Sequence, residues 1–271
     1  MKKNKPSSVA LLITTYNWKE ALELVLLSVF KQTVLPDEIV IADDGSRSDT
    51  KELIDRMRVD SPVPITHVWQ EDKGFRLSKI RNKGIAAAKN EYIIQIDGDC
   101  VLEKHFVQDH LQMAQSGTYV CGSRTCCSNE FSENWFVTKQ FSWWKFRPVK
   151  GSGLNRFRVG FLRKYVMPKF PITIKGCNMA FWRADIIAVN GYDENYEGWG
   201  YEDHDMAIRL DNLGIKQRTL KMGAVMYHLY HREKNNDLLS DEYHKRMEKL
   251  TLLREKNIIT TQNGLDKYLP T

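Results

Sequence analysis

A chain of 271 residues with 42% hydrophobic residues and a net charge of +6 can bury a core as one large domain or as two closely joined halves. Its five cysteines are odd in number and show no C-x-x-C spacing, which argues against a disulfide framework or a zinc site and fits a reducing cytoplasm. No apolar run reaches the roughly 18 residues of a membrane span, and the first residues lack the apolar length of a signal peptide, so neither segment is predicted.

The N-terminal part of the chain alternates strand-like and helix-like runs. Residues 8–16 predict a strand, and Asn17 with Glu20 three positions later resembles a capping box that opens a helix over 18–32. Such alternation implies an α/β fold with a Rossmann-like, mostly parallel central sheet that is flanked by helices and joined by right-handed crossovers. The same signals predict strands at 38–42, at 65–69 and just before Asp97, and helices at about 49–58 and 79–89.

Polar residues follow the strands of this predicted sheet. The carboxyl ends of parallel strands meet at one edge, where open α/β sheets bind ligands. The chain lacks the G-x-G-x-x-G and G-x-x-x-x-G-K-[ST] patterns, so we expect a nucleotide-sized crevice in which acidic residues and a metal replace a glycine-rich phosphate cradle. The residues expected at this edge are Thr14, Tyr16, Asp44, Arg76 and Asp97.

Asp97 and Asp99 flank Gly98 at the end of the last of these strands. A diphosphate and a carboxylate repel each other unless a hard, oxygen-preferring cation such as Mg2+ or Mn2+ lies between them. The pair therefore suits a cation that carries a diphosphate. Asp-Gly-Asp also makes an ordinary turn at the end of a strand, and the tripeptide alone does not decide between the two interpretations.

Residues 131–175, here called the basic aromatic segment, carry ten Lys or Arg against the single acid Glu133. Their eleven aromatic residues are too many for a free linker. The segment is either a partly buried connection with solvated cations or a surface that contacts an anionic membrane or a lipid phosphate.

Residues 191–210, GYDENYEGWGYEDHDMAIRL, place a glycine-rich aromatic loop before the start of a helix. The helix opens with Glu202, Asp203, His204 and Asp205. Acids at a helix N-terminus interact favourably with the helix dipole, and capping explains one or two of them. Capping does not explain three neighbouring aromatic residues whose flat faces suit the apolar side of a sugar ring. These are Tyr196, Trp199 and Tyr201.

The C-terminal part supplies a histidine pair and a last helix. A strand predicted at 224–227 ends at His228, with His231 close behind. A histidine there either completes a metal shell begun by Asp99 or is structural. Residues 237–256 have apolar positions near helical spacing, which predicts an amphipathic helix docked on the body or on another subunit.

The ordered motifs TTYNWKEAL, IADDGSRSD, GFRLSKIRNKGIAAAKNEYIIQIDGD and GWGYEDHDM together resemble the family 2 glycosyltransferases with the GT-A fold. The resemblance covers about residues 8–125 and 174–232. The C-terminal motif is also similar to the acceptor-side motif of β-1,4-galactosyltransferases and of bacterial chondroitin-type polymerases. The resemblance implies an inverting hexosyltransferase that moves a hexose or N-acetylhexosamine from a UDP-sugar to a hydroxyl of a saccharide or lipid-linked saccharide.

On the donor side, the resemblance implies that Mn2+ or Mg2+ binds the diphosphate. It also assigns roles to individual residues. In that pattern Thr14 and Tyr16 pack around the base, Asp44 accepts from the uracil imide N–H, Arg76 contacts the nucleotide, Asp97 holds the ribose side, and Asp99 and His228 bind the metal.

On the acceptor side, the resemblance makes Asp203 the general base and Glu202 a neighbour that helps to hold the acceptor. Trp199 and Tyr201 would contact the acceptor sugar. The match departs at His204, where the galactosyltransferases carry another acid and the bacterial polymerases are more similar. This departure makes an N-acetylglucosamine acceptor a weaker expectation.

The resemblance divides the chain into a nucleotide-sugar-binding half at 1–125, an acceptor-binding half at 126–235 that includes the basic aromatic segment, and a helical tail at 236–271. It implies bacterial surface polysaccharide or lipopolysaccharide synthesis at the inner face of the cytoplasmic membrane, with no nucleic-acid partner. Two alternatives remain open. A sugar nucleotidyltransferase usually carries a glycine-rich N-terminal loop, which SVALLITTYN lacks, and a non-catalytic carbohydrate-binding protein would not hydrolyse a UDP-sugar.

Overall fold

The computed structural model describes residues 5–141, 158–159, 174–232 and 241–270. Within them the strands are β1 (Val9–Thr15), β2 (Glu38–Asp43), β3 (Ile65–Trp69), β4 (Tyr92–Asp97), β5 (Cys100–Leu102), β6 (Thr118–Cys121), β7 (Thr125–Cys126), β8 (Asn178–Trp182), β9 (Lys216–Thr219) and β10 (Met226–His228). The helices are α1 (Lys19–Val29), α2 (Ser48–Val59), α3 (Leu77–Ala87), α4 (Phe106–Met113), α5 (Asn129–Thr138), α6 (Arg183–Ala188), α7 (Glu202–Asn212) and α8 (Asp241–Glu255), followed by a 3-10 helix at Leu265–Tyr268. Residues 142–157 and 160–173 of the basic aromatic segment, and 237–240 of the predicted last helix, lie outside the described residues.

The central sheet has the strand order β3-β2-β1-β4-β8-β6-β9 in the described part of the chain. β3, β2, β1 and β4 run parallel to one another, whereas β8 runs antiparallel to both β4 and β6. The prediction of a mostly parallel, Rossmann-like α/β sheet is therefore confirmed. Thr14 of β1 lies beside Ala42 of β2 and Asp97 of β4, so the carboxyl ends of these three strands meet at one edge.

Every residue of β1 is buried, because helices cover both faces of the sheet. Leu11 and Ile13 pack in one cluster with residues of α1 and α2, and Leu12 packs in a second cluster with residues of α3. Burying each such side chain contributes roughly 1.5–3 kcal/mol. Burial on both faces is why β1, β2 and β4 are nearly continuous apolar runs in the sequence, whereas the edge strand β3 is only partly buried. The predicted positions of β1 to β4 are confirmed.

A second, three-stranded sheet forms among the described residues in the order β5-β10-β7. β10 runs antiparallel to β5 in a register that sets His228 beside Cys100. This pairing brings the end of β10 to the turn that contains Asp99. The sequence predicted the strand that leads to His228 but neither β5 nor β7, since strands of three and two residues are too short to show a recognisable alternation.

Asn17 does not form the predicted capping box with Glu20. The N-cap of α1 is Trp18, and its side chain makes no capping hydrogen bond. Asn17 instead has a positive φ of 46°, donates its backbone N–H to Oγ of Ser46 at 2.8 Å, and accepts from the backbone N–H of Arg47 at 3.0 Å. The residue therefore ties the turn after β1 to the turn after β2, and both turns line the carboxyl edge of the sheet.

The C-terminal region docks on the body of the protein. Leu250 and Leu253 of α8 pack against Ile208 of α7. Beyond α8, the buried Leu265 joins the core and donates its backbone N–H to the carbonyl of Asn190 at 3.0 Å. None of the helices in the described ranges combines the length and the apolar character needed to cross a bilayer.

Candidate functional site

The two acids at the end of β2 have different roles: Asp43 stabilises the turn, and Asp44 lies at the edge of the sheet. Oδ1 of Asp43 accepts from the backbone N–H of Ser46 at 2.8 Å. Asp44 is buried, and it accepts from the backbone N–H of Arg76 at 2.9 Å and from the side-chain amide of Gln70. Burial raises the pKa of Asp44, and these hydrogen bonds act in the opposite direction. The Asp44 carboxylate is thus held in place by hydrogen bonds at the predicted edge of the sheet, where it can accept a further hydrogen bond.

The other predicted nucleotide-side residues lie at the same edge. Oγ1 of Thr14 donates to Oδ1 of Asp97 at 2.9 Å. Tyr16 is about half exposed, and its hydroxyl donates to Oδ2 of Asp72 at 2.9 Å. The guanidinium of Arg76 donates to the carbonyl of Glu71, so the hydrogen bond that Arg76 makes to Asp44 comes from its backbone N–H, while the charge of Arg76 acts against the rise in the pKa of Asp44.

Asp99 and His228 lie close enough together to share a cation. Nε2 of His228 is 3.4 Å from Oδ2 of Asp99, and Nε2 of His231 is 3.5 Å from the same oxygen. Among the described residues, the potential ligand atoms of Asp99, Cys100 and His228 lie within 4.8 Å of one another. Burial raises the pKa of Asp99 and lowers the pKa of His228. A carboxylate beside a neutral imidazole fits a divalent cation such as Mn2+.

Gly98 is required by the close approach of β1. Its backbone N–H donates to the carbonyl of Thr14 at 2.7 Å, and a Cβ at this position would lie 2.8 Å from that carbonyl oxygen. The two interpretations of Asp-Gly-Asp, an ordinary turn and a cation site, are therefore compatible, because the same tight turn that ends β4 also directs Asp99 towards His228.

Each acid at the start of α7 has its own partner. Oδ1 of Asp203 accepts from the backbone N–H and from Nδ1 of His204, both at 2.9 Å, and Oδ2 accepts from the backbone N–H of Gly176 at 2.6 Å. Asp205 forms a fully buried ion pair with Arg209 at 2.7 Å. The N-cap residue, Tyr201, makes no side-chain capping bond. Simple helix capping therefore does not account for this cluster.

Arg81 joins the two halves of the site. Its Nη2 lies 3.2 Å from Oδ1 of Asp97, and its Nη1 lies 3.0 Å from Oε1 of Glu202. The Arg81 side chain is only 2% exposed. Its guanidinium carbon also lies 5.2 Å from the ring centroid of Tyr192. One buried cation therefore contacts both Asp97, at the end of β4, and Glu202, at the start of α7.

Arg81 is absent from the predicted site residues, although the sequence carries a signal for it. Leu77, Arg81 and Ile85 are spaced four residues apart in α3, so a charged residue lies on the apolar face of a predicted helix. Gly176 was also missed, and a Cβ there would lie 3.0 Å from the Arg81 guanidinium. Nothing in the sequence signals that this glycine approaches the site.

The three predicted aromatic platforms differ in exposure. Trp199 is 61% exposed, whereas Tyr201 is half-buried with its ring 5.5 Å from that of His204. Tyr196 is buried, and Nζ of Lys249 lies 4.1 Å from its ring centroid. The prediction that Tyr196 offers a face to a sugar is therefore wrong, because α8 covers that ring.

We expect His204→Gln to lower the melting temperature by roughly 2 °C at about pH 5.5 and by much less at about pH 8.5. The hydrogen bond with Asp203 raises the pKa of His204 above its ordinary value of 6.5. The stabilisation by the charged imidazole is thus complete below the pKa of the unfolded chain and is lost as pH rises through the folded pKa. The expected effect is modest because the ring is 32% exposed and solvent screens the pair.

Thermal denaturation followed by circular dichroism at both pH values would measure the effect. His244→Gln is the matched control, since His244 is an exposed histidine on α8. An equal pH dependence in the two variants would contradict a specific Asp203–His204 pair.

Two family models match the chain. The one described as Glycosyl transferase family 2 matches residues 10–190, and the one described as the N-terminal domain of galactosyltransferase matches residues 159–232. The chain is 24% identical over 238 residues to a chondroitin synthase of Escherichia coli, covering 81% of this chain and 34% of that protein. It is 27% identical over 229 residues to a validoxylamine A glucosyltransferase of Streptomyces hygroscopicus subsp. limoneus, covering 76% of this chain and 48% of that protein. The chain thus spans about a third to a half of the length of these relatives.

Solved structures share the fold. S. aureus TarS 1–349 in complex with UDP superposes with a TM-score of 0.62 at 14% identity, covering 96% of this chain and 68% of that one. A mannosyltransferase, PcManGT from Pyrobaculum calidifontis in complex with GDP-Man and Mn2+, gives a TM-score of 0.58 at 17% identity, covering 95% and 66%. At such low identities the similarity establishes the common fold alone.

Proposed function

Because the chain belongs to glycosyl transferase family 2 and has the GT-A fold, we propose that it is an inverting, metal-dependent hexosyltransferase. The donor is a UDP-sugar, and the acceptor is a hydroxyl of a saccharide or a lipid-linked saccharide. The observation that carries this proposal is the pair of contacts made by Arg81. They hold a donor-edge acid, Asp97, near the Glu202–Asp203 pair, as a single cleft for two substrates requires.

In the proposed donor site, the exposed ring of Tyr16 and the hydroxyl of Thr14 flank the base. Asp44 receives the uracil imide N–H, for which a buried carboxylate held by two hydrogen bonds is well prepared. Asp97 holds the ribose side, and Arg76 contacts the nucleotide. TarS was solved in complex with UDP and PcManGT in complex with GDP-Man, so related folds accept this class of ligand.

Asp99 and His228 would hold the cation in this proposal. A divalent cation there offsets the charge that grows on the departing diphosphate. The close approach of the Asp99 carboxylate and the His228 imidazole supports this assignment, as does the presence of Mn2+ together with GDP-Man in the PcManGT complex.

Asp203 acts as the general base. It takes the proton of the acceptor hydroxyl while that oxygen attacks the anomeric carbon from the face opposite the diphosphate, so the configuration inverts and no covalent intermediate forms. Burial would raise the pKa of Asp203, but the hydrogen bond and charge of His204, the charge of Arg81 and the Gly176 N–H together lower it. The carboxylate is thus ionised at neutral pH and able to receive a proton.

The acceptor would lie against Trp199 and Tyr201, beside Glu202. Oε2 of Glu202 is a buried oxygen that has no hydrogen-bond partner among the described residues, and an acceptor hydroxyl would satisfy it. The GWGYED loop favours galactose, N-acetylgalactosamine or glucose as the sugar transferred. We place the reaction in bacterial surface polysaccharide synthesis. The ten Lys or Arg against one acid in residues 131–175 are why we extend the proposal to peripheral contact with an anionic membrane surface.

We expect Mn2+ to raise the affinity of the wild-type protein for UDP by roughly 5–150-fold, the usual range for two coupled ligands. Asp99→Ala should remove this gain, because one of the two residues that would hold the cation is lost. Isothermal calorimetry of UDP binding with and without Mn2+ would measure both values. The exposed Asp60, at the end of α2, provides the control variant Asp60→Ala. Equal UDP affinity with and without Mn2+ in the wild type would contradict the metal assignment.

Hydrolysis of UDP-sugars separates this proposal from the alternatives. Transferases transfer some sugar to water, so a panel of UDP-sugars with Mn2+ should yield slow release of UDP for the correct donor. A carbohydrate-binding protein would release none, and a nucleotidyltransferase would form a UDP-sugar from UTP and a sugar phosphate. Thermal shifts with the same panel would identify the donor, because specific binding raises the apparent stability.

A further inference from the structure

Arg246 of α8 is a buried cation, 8% exposed, whose guanidinium is directed at the loop before α7. Its Nη1 donates to the carbonyls of Trp199 at 2.6 Å and Gly200 at 2.7 Å, and its Nη2 donates to the carbonyl of Glu197 at 2.6 Å. Its Nε donates to Glu242 one turn earlier in α8, at 2.8 Å. Arg246 thus binds three backbone carbonyls of a single loop.

The loop needs such a partner because its backbone departs from regular structure. Gly198, Gly200 and Tyr201 have positive φ values of 80°, 104° and 73°. For a tyrosine this conformation is unfavourable, and the unusual turn directs carbonyls inwards, where they must be paired. On its other side the loop has one further anchor, from the backbone N–H of Gly198 to the carbonyl of Phe75 at 2.9 Å.

The same face of α8 makes further contacts with this region. Nζ of Lys249 donates to Asp193 at 2.6 Å and covers the ring of Tyr196. The ring of Tyr243 lies edge-on to Tyr201, with 5.8 Å between ring centroids. Tyr243, Arg246 and Lys249 are spaced three residues apart, so they lie along one side of the helix. The conformation of the loop is therefore set by α8.

We propose that Arg246 is a positioning residue for the acceptor. By holding the carbonyls of Glu197, Trp199 and Gly200, it keeps the exposed Trp199 ring and the half-buried Tyr201 at the approach to Asp203, where a saccharide can lie against them. This assignment rests on the proposed transferase function. It predicts that α8 governs acceptor binding without contacting the nucleotide.

The test uses the full chain with Arg246→Met, which keeps the apolar stem and removes the donors. Lys245→Met is the matched control, since Lys245 is the exposed neighbour of Arg246. Free N-acetylglucosamine, galactose and glucose serve as acceptor probes, with Mn2+ and the UDP-sugar that the wild type hydrolyses. Losing several charged hydrogen bonds should raise the KM for the best probe by roughly 10–100-fold, while UDP affinity in Mn2+ changes less than about twofold.

A second measurement reports on the loop itself. Chymotrypsin cleaves after aromatic residues, so cleavage at Trp199 and Tyr201 should be roughly tenfold or more faster in Arg246→Met than in Lys245→Met, because the loop opens more often. Arg246→Lys, which keeps the charge but cannot reach three carbonyls at once, should give an intermediate rate. Equal cleavage in Arg246→Met and the control would overturn the proposal, and so would faster cleavage with an unchanged KM. Failure of the transferase function itself would show separately, as wild-type protein without metal-dependent UDP binding.

Discussion

Asp203→Asn is expected to lower the rate of sugar transfer by a factor of about 100 or more, the usual scale for a general base. The amide has nearly the same shape as the carboxylate but cannot accept the proton of the acceptor hydroxyl. It also offers one acceptor oxygen where the carboxylate offers two, so either the Gly176 N–H or the His204 donors lose their partner. The associated loss of stability should be about 1–3 kcal/mol, which leaves the fold and UDP binding intact.

Initial rates of UDP release in the presence of an acceptor would measure the effect, and calorimetry of UDP with Mn2+ would verify the donor site. Asp60→Asn is the matched control. Unchanged turnover in Asp203→Asn would rule out the role. Burial, followed by the charge of Asp203, raises the pKa of Glu202 to about 7, so Glu202→Gln should be compared as well. If Glu202→Gln abolished transfer and Asp203→Asn did not, Glu202 would be the general base and Asp203 its neighbour.

Arg81→Met should destabilise the protein by about 3–5 kcal/mol, the usual result of removing one partner from a buried ion pair. Burial would lower the pKa of Arg81, but the surrounding groups, including Asp97 and Glu202, raise it, so the guanidinium is charged at any accessible pH. Without it, the carboxylates of Asp97 and Glu202 lose the cation that they share. Urea denaturation near neutral pH would measure the change in the free energy of unfolding.

The same variant should recover stability as pH falls through the raised pKa of Glu202 towards the ordinary pKa of a glutamate. Glu202 already has a raised pKa, and losing its cation raises that pKa further, so the folded variant binds a proton more tightly than the unfolded chain does and acid favours the native state. Lys83→Met is the control on the same helix, with an expected change of about 0.5 kcal/mol or less. If Arg81→Met lost no more stability than the Lys83→Met control, Arg81 would not be the residue that links the two halves of the site electrostatically.

The parallel strands β1, β2 and β4 could be predicted from sequence because they are long, apolar and buried, so their pattern is set by the core. Thr14, Asp44 and Asp97 follow as the residues that end those strands. The second sheet could not be predicted in this way. The register that sets His228 beside Cys100 depends on pairing between short segments far apart in the chain, and His228 was proposed as a ligand only through the family resemblance.

The loop before α7 and its surroundings were predicted less completely, for physical reasons. The loop with Trp199 and Tyr201 was recognised by composition, but nothing in its own residues indicates that Arg246 holds it. The prediction that the Tyr196 ring is exposed was wrong because α8, from the end of the chain, covers it. Arg81 was missed because a charged residue on an apolar helix face can be recognised only by comparing it with the apolar residues around it on that face.

The position of β8 between β4 and β6 has a consequence for how such chains diverge. The chain leaves the sheet after β6 and returns in the adjacent strand, and Gly122 donates to the carbonyl of Asn178 at 2.8 Å where the two ends meet. Closing a longer excursion between fixed ends costs little, about 0.6 kcal/mol for each doubling of its length. A change in the length of the segment between β6 and β8 therefore need not move β1, β2 and β4, so in related chains this segment can vary while the parallel strands keep their register.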